Sequence, residues 1–508
     1  MVEGIQILHK QNGVFPVQSK LHIRAPKETL QLAVNAIGSN IPVFRSFLLR
    51  LPKSRPNREG DGIDFIFLGV FLAEFILGVQ IFSLRRVAFS GRYGMLSLVH
   101  FFELISFSKE RSDSMDLFEK CYAPSRADQA REMDIYPYFH ALETRQDVEV
   151  MMEGKRRIML GSNNYLGLTV DPEVIEASIQ ALEQYGTGCS GSRFMNGTLE
   201  LHLELEEELS KFLRKDGVVT FSAGFLSNLS IISALVGRHD YVICDRENHA
   251  SIYDGCQLSF GKMLRYKHND MADLERQLQK VPETAGILIV TDGVFSMGGD
   301  IANLPEIVRL AKQYGARTMV DDAHALGVIG EGGRGTASHF GLEDQVDIYM
   351  GTFSKTLASL GGYVATEARI ADFLRHTARP FIFTASITPA SCAAALASLR
   401  KLERHPELVT RLAELSTYAR EGYKKRGVRI RESIADVPTP IVPLYTNDMV
   451  NTLATAKRLY DNGVYVNPVL PPAVPEADCL LRTSYMATHT EDLLDEAMDI
   501  IAKELGSA

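Results

Sequence analysis

The sequence predicts an α/β fold: a large domain built on a mostly parallel sheet, followed by a smaller C-terminal α+β domain. Three observations carry this reading. From about residue 155, short β-branched runs alternate with longer amphipathic stretches, the pattern of a parallel sheet covered on both faces. Several runs close on polar residues, namely Asp245, Thr291-Asp292, Asp321-Asp322 and Thr352. Ligands of open α/β sheets lie beyond the carboxyl ends of the strands, so these ends are expected to converge on a site. Around residue 390 the style changes to an Ala-rich helix followed by further helix and short strands.

The chain has 508 residues, 45% hydrophobic and 23% charged, with 39 Gly and 20 Pro. That composition allows more than one compact unit and excludes a disordered, collagen-like or coiled-coil chain. The net charge of −9 conceals a split, because residues 1–114 hold 14 Lys and Arg against 9 Asp and Glu while the remainder holds 40 against 54. The body is acidic and offers no basic footprint for nucleic acid.

In the front segment, FIFLGVFLAEFILGVQIFSL (65–84) is long enough to cross a bilayer, interrupted by Glu74 and Gln80. A membrane anchor, a buried or interfacial helix, and upstream sequence included by a start codon chosen too early all account for it. The third is preferred, because the segment lacks sustained periodicity and clear caps, whereas Met115 opens MDLFEK and helix-compatible sequence. The expected organisation is an N-terminal extension over 1–114 that the native protein need not contain, an arm over 115–160, a large domain over 161–390 and a small domain over 391–508. Six cysteines, at 121, 189, 244, 256, 392 and 479, form no C-x-x-C pair and no zinc spacing. They read as scattered buried thiols of a cytoplasmic protein, and no metal site is expected.

Along the body, a helix over Pro172–Tyr185 precedes Gly186-Thr187-Gly188-Cys189-Ser190-Gly191. This matches G-x-G-x-x-G, but a dinucleotide fingerprint must follow a strand and open a helix. The segment is expected to be a turn between helices. Next come a helix over Leu199–Leu213 and strands VVTF (218–221) and YVICD (241–245), then a helix over Met271–Val281. Strand GILIVTD (286–292), a helix over Pro305–Tyr314 with Pro in its first turn, and strands TMVDD (318–322) and DIYMGT (347–352) complete the alternation. The C-terminal part contributes helices over Ala393–Leu402 and Pro406–Lys425, and strands near Val428–Arg431 and Ile441–Tyr445.

The chemistry concentrates where Asp321-Asp322-Ala323-His324 ends one strand and Thr352-Phe353-Ser354-Lys355 ends the next. A lysine among small hydroxyl residues can simply be solvated. The set also makes sense as a pyridoxal phosphate site, with a lysine to form a Schiff base and an aspartate to keep the pyridinium nitrogen protonated. Phe221-Ser222-Ala223-Gly224-Phe225, a strand turning into a helix, offers an anion-binding helix N-terminus. Asn248-His249-Ala250-Ser251 offers an imidazole able to stack on the ring.

With these motifs in place the body resembles the α-oxoamine synthase family of fold-type I pyridoxal phosphate enzymes over essentially Met115–Ala508. The resemblance runs through SNNYLGL (162–168), GTGCSGSR (186–193), FSAGF (221–225), NHASI (248–252), HND (268–270), DGVFSMGGD (292–300), VDDAHALG (320–327), GTFSK (351–355) and LRTSYMATHT (481–490). It implies that Lys355 carries the cofactor and moves the substrate α-proton, and that Asp321 faces the pyridine nitrogen. It implies further that His324 and Ser296 bond the ring 3′-oxygen and that His249 stacks on the ring and orients the substrate carboxylate. Gly224, Phe225, Thr352 and Ser354 would surround the phosphate, with Thr384 of FIFTAS reaching in from the other subunit of a homodimer. Arg482 would engage the amino-acid carboxylate, and Asn163 or Asn164 would lie near the cofactor.

The family condenses an amino acid with an acyl-CoA and releases coenzyme A and carbon dioxide. YPYFHALET (136–144), GCSGSRFMNGTLELH (189–202), RYKHNDM (265–271) and RTSYMATHT (482–490) resemble the branch that joins L-serine to palmitoyl-CoA. The branch joining alanine to pimeloyl-CoA, from which Pro471-Pro472-Ala473-Val474-Pro475 departs, and the one joining glycine to acetyl-CoA are the alternatives. A non-catalytic partner subunit would be expected to lack Lys355, and a membrane scaffold around residues 65–84 leaves the body unexplained. Association with a membrane is expected only if that segment is expressed.

Overall fold

The computed structural model describes residues 116–432 and 437–506. The apolar run over 65–84 and the extension over 1–114 lie outside the described residues. Among those described, no helix is long and apolar enough to cross a membrane.

Thirteen strands occur among the described residues. They are β1 (Glu149–Met152), β2 (Lys155–Met159), β3 (Gly217–Phe221), β4 (Tyr241–Asp245), β5 (Lys262–Tyr266), β6 (Ile287–Asp292) and β7 (Arg317–Asp321), then β8 (Ile348–Thr352), β9 (Gly362–Thr366), β10 (Ile441–Tyr445), β11 (Val464–Tyr465), β12 (Asn467–Val469) and β13 (Leu480–Ser484). Seven of them form one sheet in the order β3-β9-β8-β7-β6-β4-β5. Pairs β8–β7, β7–β6, β6–β4 and β4–β5 are parallel, and β9 runs antiparallel to both β3 and β8. The predicted parallel sheet is therefore present with one reversed strand.

Successive side chains of a strand point to opposite faces, and here both faces are covered. On β3, Val218 joins an apolar core with Leu205 and Leu209 of the helix Glu200–Leu213, whereas Val219 joins another with Ile231 and Ile232 of the helix Gly224–Leu235. Val320 and Met319 of β7 divide between the same two cores. Burial on both faces is why β3 and β8 are buried at every residue and why such strands read as continuous apolar runs.

Helix boundaries follow local signals. Asp171 caps Pro172–Tyr185 by accepting from Glu173 N–H, with Pro in the first turn. Asp270 caps Met271–Leu278 through Asp273 N–H at 2.9 Å. The G-x-G-x-x-G segment runs between the helices Pro172–Tyr185 and Glu200–Leu213, in the context the sequence indicated.

The C-terminal part contains an antiparallel sheet β10-β13-β12 packed on the helices Glu407–Lys425, Met449–Asp461 and Glu491–Gly506. One expected strand is corrected. Val428–Arg431 makes a single bridge, Ile430 to Leu444. Arg431 N–H donates to the Pro443 carbonyl at 3.0 Å, but Pro443 has no N–H to return the bond, so the ladder does not extend there. All six cysteines are free; Cys121 is exposed and Cys189 half-buried, and the other four are buried as expected.

Candidate active site

The carboxyl ends of β7 and β8, with the helix starts at Gly224 and Ala250, meet at a cavity of about 230 Å³. Its wall includes Gly224, Phe225, His249, Asp321, His324, Thr352, Ser354 and Lys355. The sequence singled these residues out from four separate motifs.

Lys355 follows β8. Burial holds its ammonium down to about 8, partly offset by the charge of Asp321, while Arg482 lowers it further. An amine there is more often neutral, and so more available as a nucleophile, than one in water. Asp321, 4% exposed, ends β7. Its Oδ2 accepts from Asn228 Nδ2 at 2.7 Å and its Oδ1 from Ala323 N–H at 3.0 Å. Asn228, on the helix Gly224–Leu235, also donates to Ser251 Oγ at 2.8 Å. Burial and the neighbouring Asp321 push the Asp292 carboxyl well above the usual range.

His249 precedes the helix Ala250–Leu258, and its Nδ1 accepts from Ser251 N–H at 3.3 Å. Burial lowers its pKa, opposed by Asp321, so the ring is neutral and carries its proton on Nε2. Its backbone N–H donates to Asp292 Oδ1 at 3.2 Å, and Phe225 meets the ring edge-on at 6.2 Å. His324 is held neutral by burial and by the cations Lys355 and Arg482. Its Nδ1 lies 2.6 Å from the Tyr165 hydroxyl.

Arg482, on β13, is 4% exposed. Its Nε donates to the Ser296 carbonyl at 2.6 Å, and its Nη2 to Asn163 Oδ1 at 2.9 Å and to the Tyr165 hydroxyl at 3.2 Å. All of these acceptors are neutral. Among the described residues no carboxylate forms an ion pair with Arg482, although a buried cation ordinarily requires a counter-charge.

The structure separates Asn163 from Asn164. Asn163 faces Arg482, whereas Asn164 donates to Thr169 Oγ1 at 2.7 Å and receives Thr169 N–H at 3.3 Å within its own loop. Ser296 contributes its carbonyl to Arg482 and is not among the residues of the cavity wall; Thr384, expected to serve the other subunit, lies in a separate cleft of its own chain with Arg193, Ser222 and Leu226. Tyr165, Asn228 and Asp292 received no role from sequence. Tyr165 stands in the SNNYLGL motif and Asp292 opens DGVFSMGGD, but hydrogen bonding across the fold is not visible along the chain.

The cavity fits pyridoxal phosphate on its own chemistry. It presents an amine of lowered basicity, a fixed buried carboxylate and neutral imidazoles. At the end beside the start of the helix Gly224–Leu235, Thr352 Oγ1 lies 2.9 Å from Ser354 Oγ. A Cβ at Gly224 would meet Thr352 Cβ and Oγ1 at 2.8 Å, so glycine keeps this corner open for the approach of an anion to the helix N-terminus.

Comparison with known proteins agrees with the geometry. Residues 155–501 match the family described as aminotransferase class I and II. The chain is 51% identical over 372 residues to a serine palmitoyltransferase of Sphingobacterium spiritivorum, covering 73% of this chain and 92% of that protein. It is 44% identical over 384 residues to an 8-amino-7-oxononanoate synthase of Geobacter sulfurreducens, covering 74% and 97%. Among solved structures, the serine palmitoyltransferase of S. paucimobilis with PLP–myriocin bound superposes with a TM-score of 0.74 at 37% identity, covering 77% of this chain and 100% of that one.

Proposed function

The chain belongs to the class I and II aminotransferase family, in its α-oxoamine synthase branch, and we propose that it condenses L-serine with a long-chain acyl-CoA. With palmitoyl-CoA the products are 3-oxosphinganine, coenzyme A and carbon dioxide, the first step of sphingolipid synthesis. The similarity to serine palmitoyltransferases supports the choice of substrates. The observation that carries the reaction is the placement of Lys355 and Asp321 in one cavity, with the unneutralised Arg482 connected to its wall through Tyr165 and His324.

Pyridoxal phosphate, when bound, supplies an electron sink that stabilises a carbanion at the amino-acid α-carbon. The residues provide the rest. Lys355 would hold the cofactor, and its Nζ, an amine near pKa 8, is suited to take and return the substrate α-proton near neutral pH. Asp321, fixed by Asn228, holds the proton on the pyridine nitrogen. His324 would donate toward the ring 3′-oxygen, and His249 would cover the ring and steer the carboxylate. Gly224, Phe225, Thr352 and Ser354 hold the phosphate. Arg482 binds the serine carboxylate, which supplies both its counter-charge and a fixed orientation; Asn163 keeps the guanidinium aimed. The protein acts as a cytoplasmic homodimer in this reading, with Thr384 of the second subunit completing the phosphate site.

Lys355→Ala tests this directly. The purified wild type is expected to show a visible absorbance band that borohydride abolishes. The variant is expected to lack the lysine-dependent band and to lose turnover by at least about 10³-fold. Product formation by the variant at a comparable rate would overturn the assignment.

A further inference from the structure

His268 belongs to the HND motif, yet neither the cofactor nor the substrate site uses it. It follows β5 and lies between two fully buried carboxylates, with Nδ1 3.0 Å from Asp245 Oδ1 and Nε2 2.6 Å from Asp300 Oδ2. Burial alone would strip the ring of its proton, but the two carboxylates outweigh it and hold its pKa up to about 10. The ring is therefore an imidazolium donating from both nitrogens. Arg431 closes the cluster, with Nη2 3.3 Å from Glu247 Oε2 and 3.8 Å from Asp300 Oδ1. A divalent cation is not what these groups await. His268 is already shared by two carboxylates, and Arg431 supplies a second positive charge.

The partners of His268 belong to different loops, and each loop reaches the active site. Asp245 ends β4 and accepts Glu247 N–H at 2.8 Å, shaping the turn that presents His249. Asp300 closes the loop after β6, where its carbonyl accepts Phe295 N–H at 2.9 Å. That loop carries Ser296, whose carbonyl takes the 2.6 Å bond from Arg482 Nε. Arg431 N–H in turn donates to the carbonyl of Pro443, which pairs with Arg482 across β10 and β13.

We propose that His268 is a positioning residue for the amino-acid carboxylate, clasping the loop that carries His249 to the loop whose Ser296 carbonyl aims Arg482. This rests on the serine-binding role of Arg482 given above. Without the clasp the Ser296 carbonyl is no longer tethered at Asp300, and Arg482 loses the acceptor that fixes its plane. The effect at Lys355 is expected to be smaller, because His268 bonds to neither Lys355 nor Asp321.

The holoenzyme is titrated with serine and, separately, with ethanolamine, which keeps the amine and hydroxyl but lacks the carboxylate. For His268→Gln, serine binding is expected to weaken about tenfold and ethanolamine binding to stay within about twofold. KM for serine should rise while kcat changes less than about threefold. Equal weakening of both ligands, or unchanged serine binding, would overturn the proposal. If His268→Gln does not give folded holoenzyme, Arg431→Gln decides, with a serine-selective loss of about threefold or more expected and an unchanged serine-to-ethanolamine ratio contradicting it. Failure of the wild type itself to bind serine would instead remove the substrate reading on which the proposal rests.

Discussion

Arg482 is the residue at which burial and charge make the strongest demand. Its guanidinium is 4% exposed and bonded only to neutral oxygens, so a carboxylate entering beside it gains a charge-assisted, directional contact. Hydrogen bonds to charged groups contribute about 1.5–3 kcal/mol. Arg482→Ala is accordingly expected to weaken serine binding by about 10- to 100-fold while cofactor affinity changes little. Spectral titration measures both, and an unchanged serine response would contradict the role. Asp322 makes a second, separate demand. Burial pushes its carboxyl up to about 7, although Thr336 donates to it from both N–H and Oγ1. Its folded pKa exceeds the unfolded value of about 3.9, so the folded chain holds an extra proton in between. That stabilisation is complete below about pH 4 and is lost as pH rises to about 7. Relative to wild type, Asp322→Asn should therefore gain about 1–2 kcal/mol of stability between pH 5 and pH 7. Denaturant unfolding at the two pH values measures it, and a constant difference would refute the assignment.

At the scale of elements, the segment around the short helix Arg379–Phe383 bears on assembly. Phe383 is 78% exposed and Thr384 stands outside the cavity of its own chain, as a segment serving a neighbouring subunit would. Sedimentation is expected to give a dimer, and a fully active monomer would exclude a shared site. The same scale shows what was legible along the chain. Strands β4, β6, β7 and β8 were readable because both faces are buried, leaving unbroken apolar runs that end on Asp245, Asp292, Asp321 and Thr352. Strand β5, KMLRY, was not read: it pairs only with β4 at the sheet edge and exposes Lys262 and Arg265, so its pattern is that of a polar surface. Strand β9, GYVAT, is short and begins on glycine. The site residues followed from motifs at strand ends. Tyr165, Asn228 and the choice of Asn163 over Asn164 did not, since each is decided by a partner between 93 and 319 positions away.

The whole molecule divides as its charge does. The acidic body carries every motif and the cavity, and the basic front over residues 1–114 carries none of the motifs. The central claim is that this body joins serine to a long acyl chain. It is tested most directly by supplying the purified protein with serine, alanine or glycine, each paired with acyl-CoAs from acetyl to palmitoyl, and identifying the products by mass. The predicted result is a long-chain 3-oxo-2-amino alcohol from serine with palmitoyl-CoA, formed faster than any other product. A dominant product from alanine with pimeloyl-CoA, or from glycine with acetyl-CoA, would contradict it.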